Sequence, residues 1–114
     1  MTRAGRCLLA AAVLVAAVAR ASPEATDDTG RHVTLEGPAQ RIVSLAPHVT
    51  EMLYAVGAGE HLVATVTHSD YPEAARQLPR VGSYDSVSVE AVLARDPDLV
   101  VGWQSGNPAA QLRR

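Results

Sequence analysis

The sequence is short of the residues that most chemistries require. Its one cysteine, Cys7, lies at the start of an apolar run near the amino terminus, so neither a disulfide framework nor thiol chemistry is expected of the remainder. His48, His61 and His68 lack metal-ligand spacing, such as two histidines four apart on a helix, and no cysteine joins them. Neither Ser44 nor Ser83 stands in a GxSxG elbow. Gly57 and Gly59 lack the lysine and the further glycines of a phosphate loop. No apolar run reaches the roughly 18 residues of a membrane-spanning helix. The ten Lys and Arg do not outnumber the twelve Asp and Glu, so the surface does not attract nucleic acid or anionic lipid. No acid–base pair, metal site or resident cofactor is expected, and the chain does not read as an enzyme.

What is present falls into three segments. Residues 1–21 carry Arg3 and Arg6, then the apolar run Cys7 to Val18, then Ala19-Arg20-Ala21. That is the order of a secretory signal peptide cut after Ala21, which predicts export to the periplasm. Cys7 precedes the apolar run, whereas a lipid-bearing cysteine would follow it. Losing Arg3, Arg6 and Arg20 leaves the acidic residues further ahead. Residues 22–40 are expected to hold a mobile leader over Ser22 to Asp28, a turn at Thr29-Gly30, and an edge strand in the alternating stretch His32 to Leu35. Residues 41–114 form one α/β unit. Apolar residues, 47% of the chain, are enough for one modest core.

That unit is organised around Arg41 to Gly57, RIVSLAPHVTEMLYAVG. Ile42 to Leu45 reads as a buried strand. Pro47 interrupts it and biases Ala46 towards extended backbone. Thr50 or His48 is expected to cap a helix whose first turn carries Glu51 and whose apolar face is Met52, Leu53, Ala55 and Val56. Gly57 supplies its stop. Leu62 to Val66 is a second strand. The loop Thr67 to Pro72 and a single helical turn over Glu73 to Gln77 follow. After Val81 to Asp85, extended or looped, Ser88 begins a helix with Val89, Val92 and Leu93 on one face. Leu99 to Trp103 is a third strand, and Pro108 sits in the first turn of a last helix. The chain ends before that helix completes about three turns, so it is expected to be a piece of a longer protein.

Strands alternating with helices predict a Rossmann-like parallel sheet with helices on both faces. The loops leaving the strands' carboxyl ends should gather His48, His68, Tyr71, Trp103, Gln104 and Asn107 along the edge where such sheets bind ligands. Trp103 is placed by its strand at the rim, where an indole offers a flat apolar surface. It suits a planar or hydrophobic ligand or packs against its own lobe.

RIVSLAP followed by TE, the segment LVATVTHSDYP, VG before a helix carrying Val89-Glu90, and PDLVV before Trp103 together resemble periplasmic binding proteins of the iron-chelate and cobalamin class. The resemblance runs from Asp27 onward, and SDYP with the Trp-ended strand is most similar to the cobalamin receptors. It implies the amino-terminal lobe of a two-lobed receptor that holds cobalamin or another corrinoid between its lobes and hands it to an ABC importer permease. The small molecule would be cargo, not cofactor. Trp103 matches a tryptophan lining the cleft, and His68 falls where a tyrosine packs on the ligand. The resemblance also implies a permease-contacting glutamate two residues after the Gly-Asn pair, where this chain has Ala109. Glu90 is explained instead by its helix dipole. Haem or a ferric siderophore is the alternative cargo, with Tyr84 supplying a phenolate or else standing as a loop residue in water. An exported enzyme with its catalytic half elsewhere is the third expectation.

Overall fold

The computed structural model describes residues 22–113. The signal-peptide expectation for 1–21 lies outside the described residues. The chain opens on a hairpin in which β1 (Glu24–Thr26) pairs antiparallel with β2 (His32–Thr34). Asp27 makes the turn, its carboxylate accepting from the Thr29 N–H and hydroxyl and from the Arg31 N–H. Gly30 takes the left-handed conformation at φ 84°, as the Thr29-Gly30 expectation required. The expected loose leader is instead a strand, because Glu24 to Thr26 finds a backbone partner in β2. β2 is an edge strand as expected, but of a separate two-stranded sheet made by the hairpin.

The α/β unit follows as β3 (Ile42–Ser44), α1 (Pro47–Ala55), a 3₁₀ turn at Gly59–His61, β4 (Leu62–Ala64) and a 3₁₀ turn at Glu73–Gln77. Then come β5 (Gly82–Ser83), β6 (Ser86–Val87), α2 (Val89–Leu93), β7 (Leu99–Val101) and α3 (Ala109–Leu112). β3, β4 and β7 make a parallel sheet in the order β4-β3-β7. The central strand is buried throughout, as its apolar, β-branched sequence demands. Val43, Leu45, Ala64, Val66, Val81, Val87 and Val92 form the core. The chain steps from β3 to β4 on one side and later to β7 on the other, so the order reverses at the β3–β7 boundary. Crevices at such reversals, beyond the strands' carboxyl ends, are where open α/β sheets place ligands.

Three expectations about α1 change. Pro47 occupies its first turn and Ala46 is the extended N-cap, with φ −151° and ψ 147° and no side-chain cap. A missing proline N–H costs nothing at a helix start, so the helix begins earlier than a Thr50 or His48 cap would allow. Glu51 therefore lies beyond the first turn. The buried residues are Val49 and Thr50, while Met52 and Val56 are 56% and 77% exposed, so the expected apolar face points outward except at Leu53, which is half-buried. The Gly57 stop is present. Ala58 N–H donates to Leu53 O at 2.8 Å and Gly57 N–H to Tyr54 O at 3.1 Å, with Gly57 at φ 82°, a Schellman termination. Ser88 caps α2 as expected, its Oγ accepting from the Ala91 N–H at 3.2 Å. Leu93 faces out at 67% exposure, leaving Val92 as the buried residue of α2. Pro108 is the N-cap of α3 and not its first turn.

The sheet's opposite edge is fastened by Asp98, whose carboxylate accepts from Gln40 N–H at 2.8 Å and Arg41 N–H at 2.9 Å. The Gln40 bond, then that from Arg41, holds this exposed carboxyl below its ordinary range. Arg41 in turn donates to the carbonyls of Arg95 and Asp96, joining the end of α2 to the start of β3.

Candidate ligand-binding edge

β3 and β7 end side by side, with Leu45 N–H donating to Val101 O at 3.0 Å. The first turn of α1, which follows β3, carries His48 and the loop after β7 carries Trp103, so the two side chains straddle the reversal point. Their rings meet edge to face, centroids 4.9 Å apart and planes at 86°. Tyr84 reaches the same indole from the turn between β5 and β6, at 5.7 Å and 45°. That turn doubles back because β5 and β6 pair antiparallel and Ser88 N–H returns to Val81 O at 2.8 Å. The indole also lies on Gly106, where a Cβ would overlap its six-membered ring. Trp103 is thus packed against its own lobe, one of the two expectations for it, and is still 37% exposed.

Asn107 lies beneath these aromatics and is 4% exposed. Its Oδ1 accepts from the Trp103 N–H, and its Nδ2 donates to Leu45 O at 2.9 Å and to Tyr84 O. All three bonds go to backbone, so the amide is turned inward and does not point to the crevice. Gln104 is exposed beside Trp103.

His68 and Tyr71 stand on the loop after β4, at the same carboxyl edge, and both are exposed. His68 adopts φ 68°, the left-handed region in which histidine is commoner than most side chains. Thr67 N–H donates to Gly82 O at 2.9 Å, so this loop lies next to the start of the hairpin that delivers Tyr84. Ring contacts join His48 and Tyr84 each to Trp103 but do not join His68 or Tyr71 to them.

Two fastenings escaped the sequence. Ser44, Thr50, Thr65 and Ser69 are all at most 1% exposed and form one hydroxyl cluster. Thr50 Oγ1 is 2.6 Å from Thr65 Oγ1 and 2.9 Å from Ser44 Oγ, and Thr65 donates to Ser69 Oγ at 2.8 Å. Thr50 is the hub, bonding inward where a cap was expected. The cluster ties α1, β3, β4 and the His68 loop together, and buried hydroxyls are tolerated there because each has a partner. The second fastening is Arg80, half-buried, which donates to Ser69 O and Ala75 O at 3.0 Å and lies 3.6 Å from Asp70. A Ser or Thr within an apolar strand was the available signal, and it reads the same whether the hydroxyl faces core or solvent.

Among the described residues no group of three His, Cys, Asp or Glu is placed to hold a metal, and no described helix is long and apolar enough to cross a membrane.

A parallel sheet in the order β4-β3-β7, with an aromatic cluster at its order reversal, defines an α/β lobe. Residues 42–114 match the periplasmic binding protein family, and the chain belongs to it. It is 50% identical over 78 residues to a vitamin B12-binding protein of Vibrio campbellii, a match covering 68% of this chain and 28% of that one. The crystal structure of the periplasmic vitamin B12 binding protein BtuF of Vibrio cholerae superposes with a TM-score of 0.65 at 47% identity, covering 67% of this chain and 30% of that chain. A periplasmic heme binding protein from Pseudomonas aeruginosa gives 0.62 at 36% identity, covering 66% and 27%. The chain therefore spans under a third of the length of these relatives.

Proposed function

We propose that this chain forms the amino-terminal lobe of a periplasmic solute-binding component of an ABC importer, and that its cargo is cobalamin or another corrinoid. The observation that carries this reading is the aromatic wall His48–Trp103–Tyr84 at the sheet's order reversal. A corrin is a broad, largely apolar plate, and an exposed indole flanked by two further rings offers it a matching face. Covering the exposed 37% of Trp103 removes on the order of 100 Å² from water, worth about 2 kcal/mol. His68 and Tyr71 extend the same edge, and Gln104 adds a polar group. One lobe supplies one wall, and ligand pockets of this kind enclose roughly 70–90% of a ligand, so a second lobe completes the site. Delivery to a permease, with the protein itself performing no reaction, is what the resemblance to the receptor class implies.

Haem is the second reading, favoured by the 36% identity to the Pseudomonas protein and by Tyr84 standing against Trp103. Calorimetry on the protein as exported from its own gene, with cyanocobalamin, cobinamide and haem, separates the two. The expected result is corrinoid binding accompanied by quenching of Trp103, the sole tryptophan of the sequence. Tight haem binding with no corrinoid binding transfers the assignment to the second reading and makes Tyr84 the candidate iron ligand.

A further inference from the structure

We infer that Asn107 is the positioning residue that sets His48, Tyr84 and Trp103 as one preformed surface. Each aromatic comes from a different segment, the start of α1, the β5–β6 turn and the loop after β7, and each segment, or the residues leading into it, gives one backbone group to this single amide. Leu45, just before the His48 turn, gives its carbonyl; Tyr84 gives its own carbonyl; Trp103 gives its own N–H. The partners dictate the amide's orientation. A peptide N–H only donates and a peptide carbonyl only accepts, so Oδ1 faces Trp103 and Nδ2 faces the other two. Asparagine is the side chain that satisfies this set. Aspartate would set a carboxylate against two carbonyls, alanine would leave one buried and two part-buried backbone groups without this partner, and glutamine is one methylene too long. The Trp103–Asn107 loop is closed twice, since the Asn107 N–H also donates to Trp103 O at 2.8 Å. With both amide hydrogens committed, Asn107 has no donor left for a ligand. It acts through the three aromatics.

The ligand arm of the test rests on the corrinoid reading, whereas a ligand-free arm does not. In the ligand-free arm, Asn107→Asp and Asn107→Ala are compared with Leu62→Ala, which weakens the core at the amino end of β4, far from the aromatics. Near-ultraviolet circular dichroism and Trp103 emission are recorded below each variant's melting range. Both Asn107 variants are expected to lose the Trp103 dichroism and shift its emission to longer wavelength, while Leu62→Ala lowers the melting temperature and keeps both signatures. In the ligand arm the folded Asn107→Asp variant should bind cyanocobalamin about tenfold more weakly or worse, as expected for the loss of one buried and one part-buried bond. Wild-type signatures in Asn107→Asp, or their equal loss in Leu62→Ala, would overturn the inference. If the wild-type protein binds no corrinoid, the functional reading falls and the ligand-free arm still decides the role of Asn107.

Discussion

The His48 imidazole stands edge-on to the Trp103 indole, 4.9 Å between centroids, and this pair bridges the start of α1 and the loop after β7 on either side of the sheet's order reversal. Both residues remain partly open to solvent, so their contact shapes a surface more than it holds the fold together.

Replacing His48 by alanine should therefore change stability little. Aromatic pairs contribute about 0.5–1.5 kcal/mol beyond area burial, and an exposed pair belongs at the lower end. Urea unfolding of His48→Ala is expected to give a midpoint close to wild type, while Trp103 emission moves to longer wavelength as its edge is uncovered. An unchanged emission spectrum would mean that the pair does not persist in solution.

Thr50 should behave in the opposite way. Its hydroxyl is the hub for Ser44, Thr65 and Ser69, all buried. Thr50→Val preserves the shape and leaves those hydroxyls short of a partner, at a cost of about 1–3 kcal/mol. Thr50→Ser keeps the hydroxyl and should recover most of that loss. Equal melting temperatures for the valine and serine variants would show that the methyl, and not the hydroxyl, is what the site needs.

The contrast between these residues marks what the sequence discloses. The three strands are legible because short apolar, β-branched runs end at Pro, Gly or polar clusters, and the rim position of Trp103 follows directly from its strand. The approach of Tyr84 to Trp103 is not legible, because it depends on two-residue strands folding back, a pairing with almost no local pattern. Asn107 shows a different limit. A polar residue in a loop at a ligand edge looks like a ligand contact, yet three backbone groups meeting below the rim draw its amide inward. Loop composition does not say which side chains turn in.

Acid should loosen the sheet's far edge through Asp98. Its carboxyl is held below the ordinary 3.8 by the N–H groups of Gln40 and Arg41. A carboxyl depressed in the folded state stabilises above its unfolded value, and that contribution is lost as pH falls from there through the folded value. Asp27 is lowered too, chiefly by the Thr29 hydroxyl and then the Arg31 N–H, so it acts in the same window. Asp98→Asn should be less stable than wild type at neutral pH and should lose less on acidification below about pH 4. Melting curves between neutrality and that range check it, and parallel pH profiles for the two proteins would rule out the Asp98 contribution.

Gly106 offers the most direct test of whether the aromatic wall binds the ligand. Its φ lies outside the left-handed region, and the nearest obstacle to a side chain there is the indole, whose Cε3 and Cζ3 a Cβ would overlap. In Gly106→Ala the loop or the ring must move, and the ring is the freer of the two because it is part-exposed while the loop is tied through Asn107. Overpacking of this kind costs about 1–3 kcal/mol in a closed core; at a rim, where the ring swings into solvent, the lower end applies. Stability should thus fall modestly, while corrinoid affinity falls about tenfold because the displaced indole no longer presents its face. Calorimetry paired with thermal melts separates the two effects. A variant that binds cyanocobalamin as wild type does, with its Trp103 emission shifted, would show that the indole moves without consequence, and Trp103 would cease to be part of the binding surface.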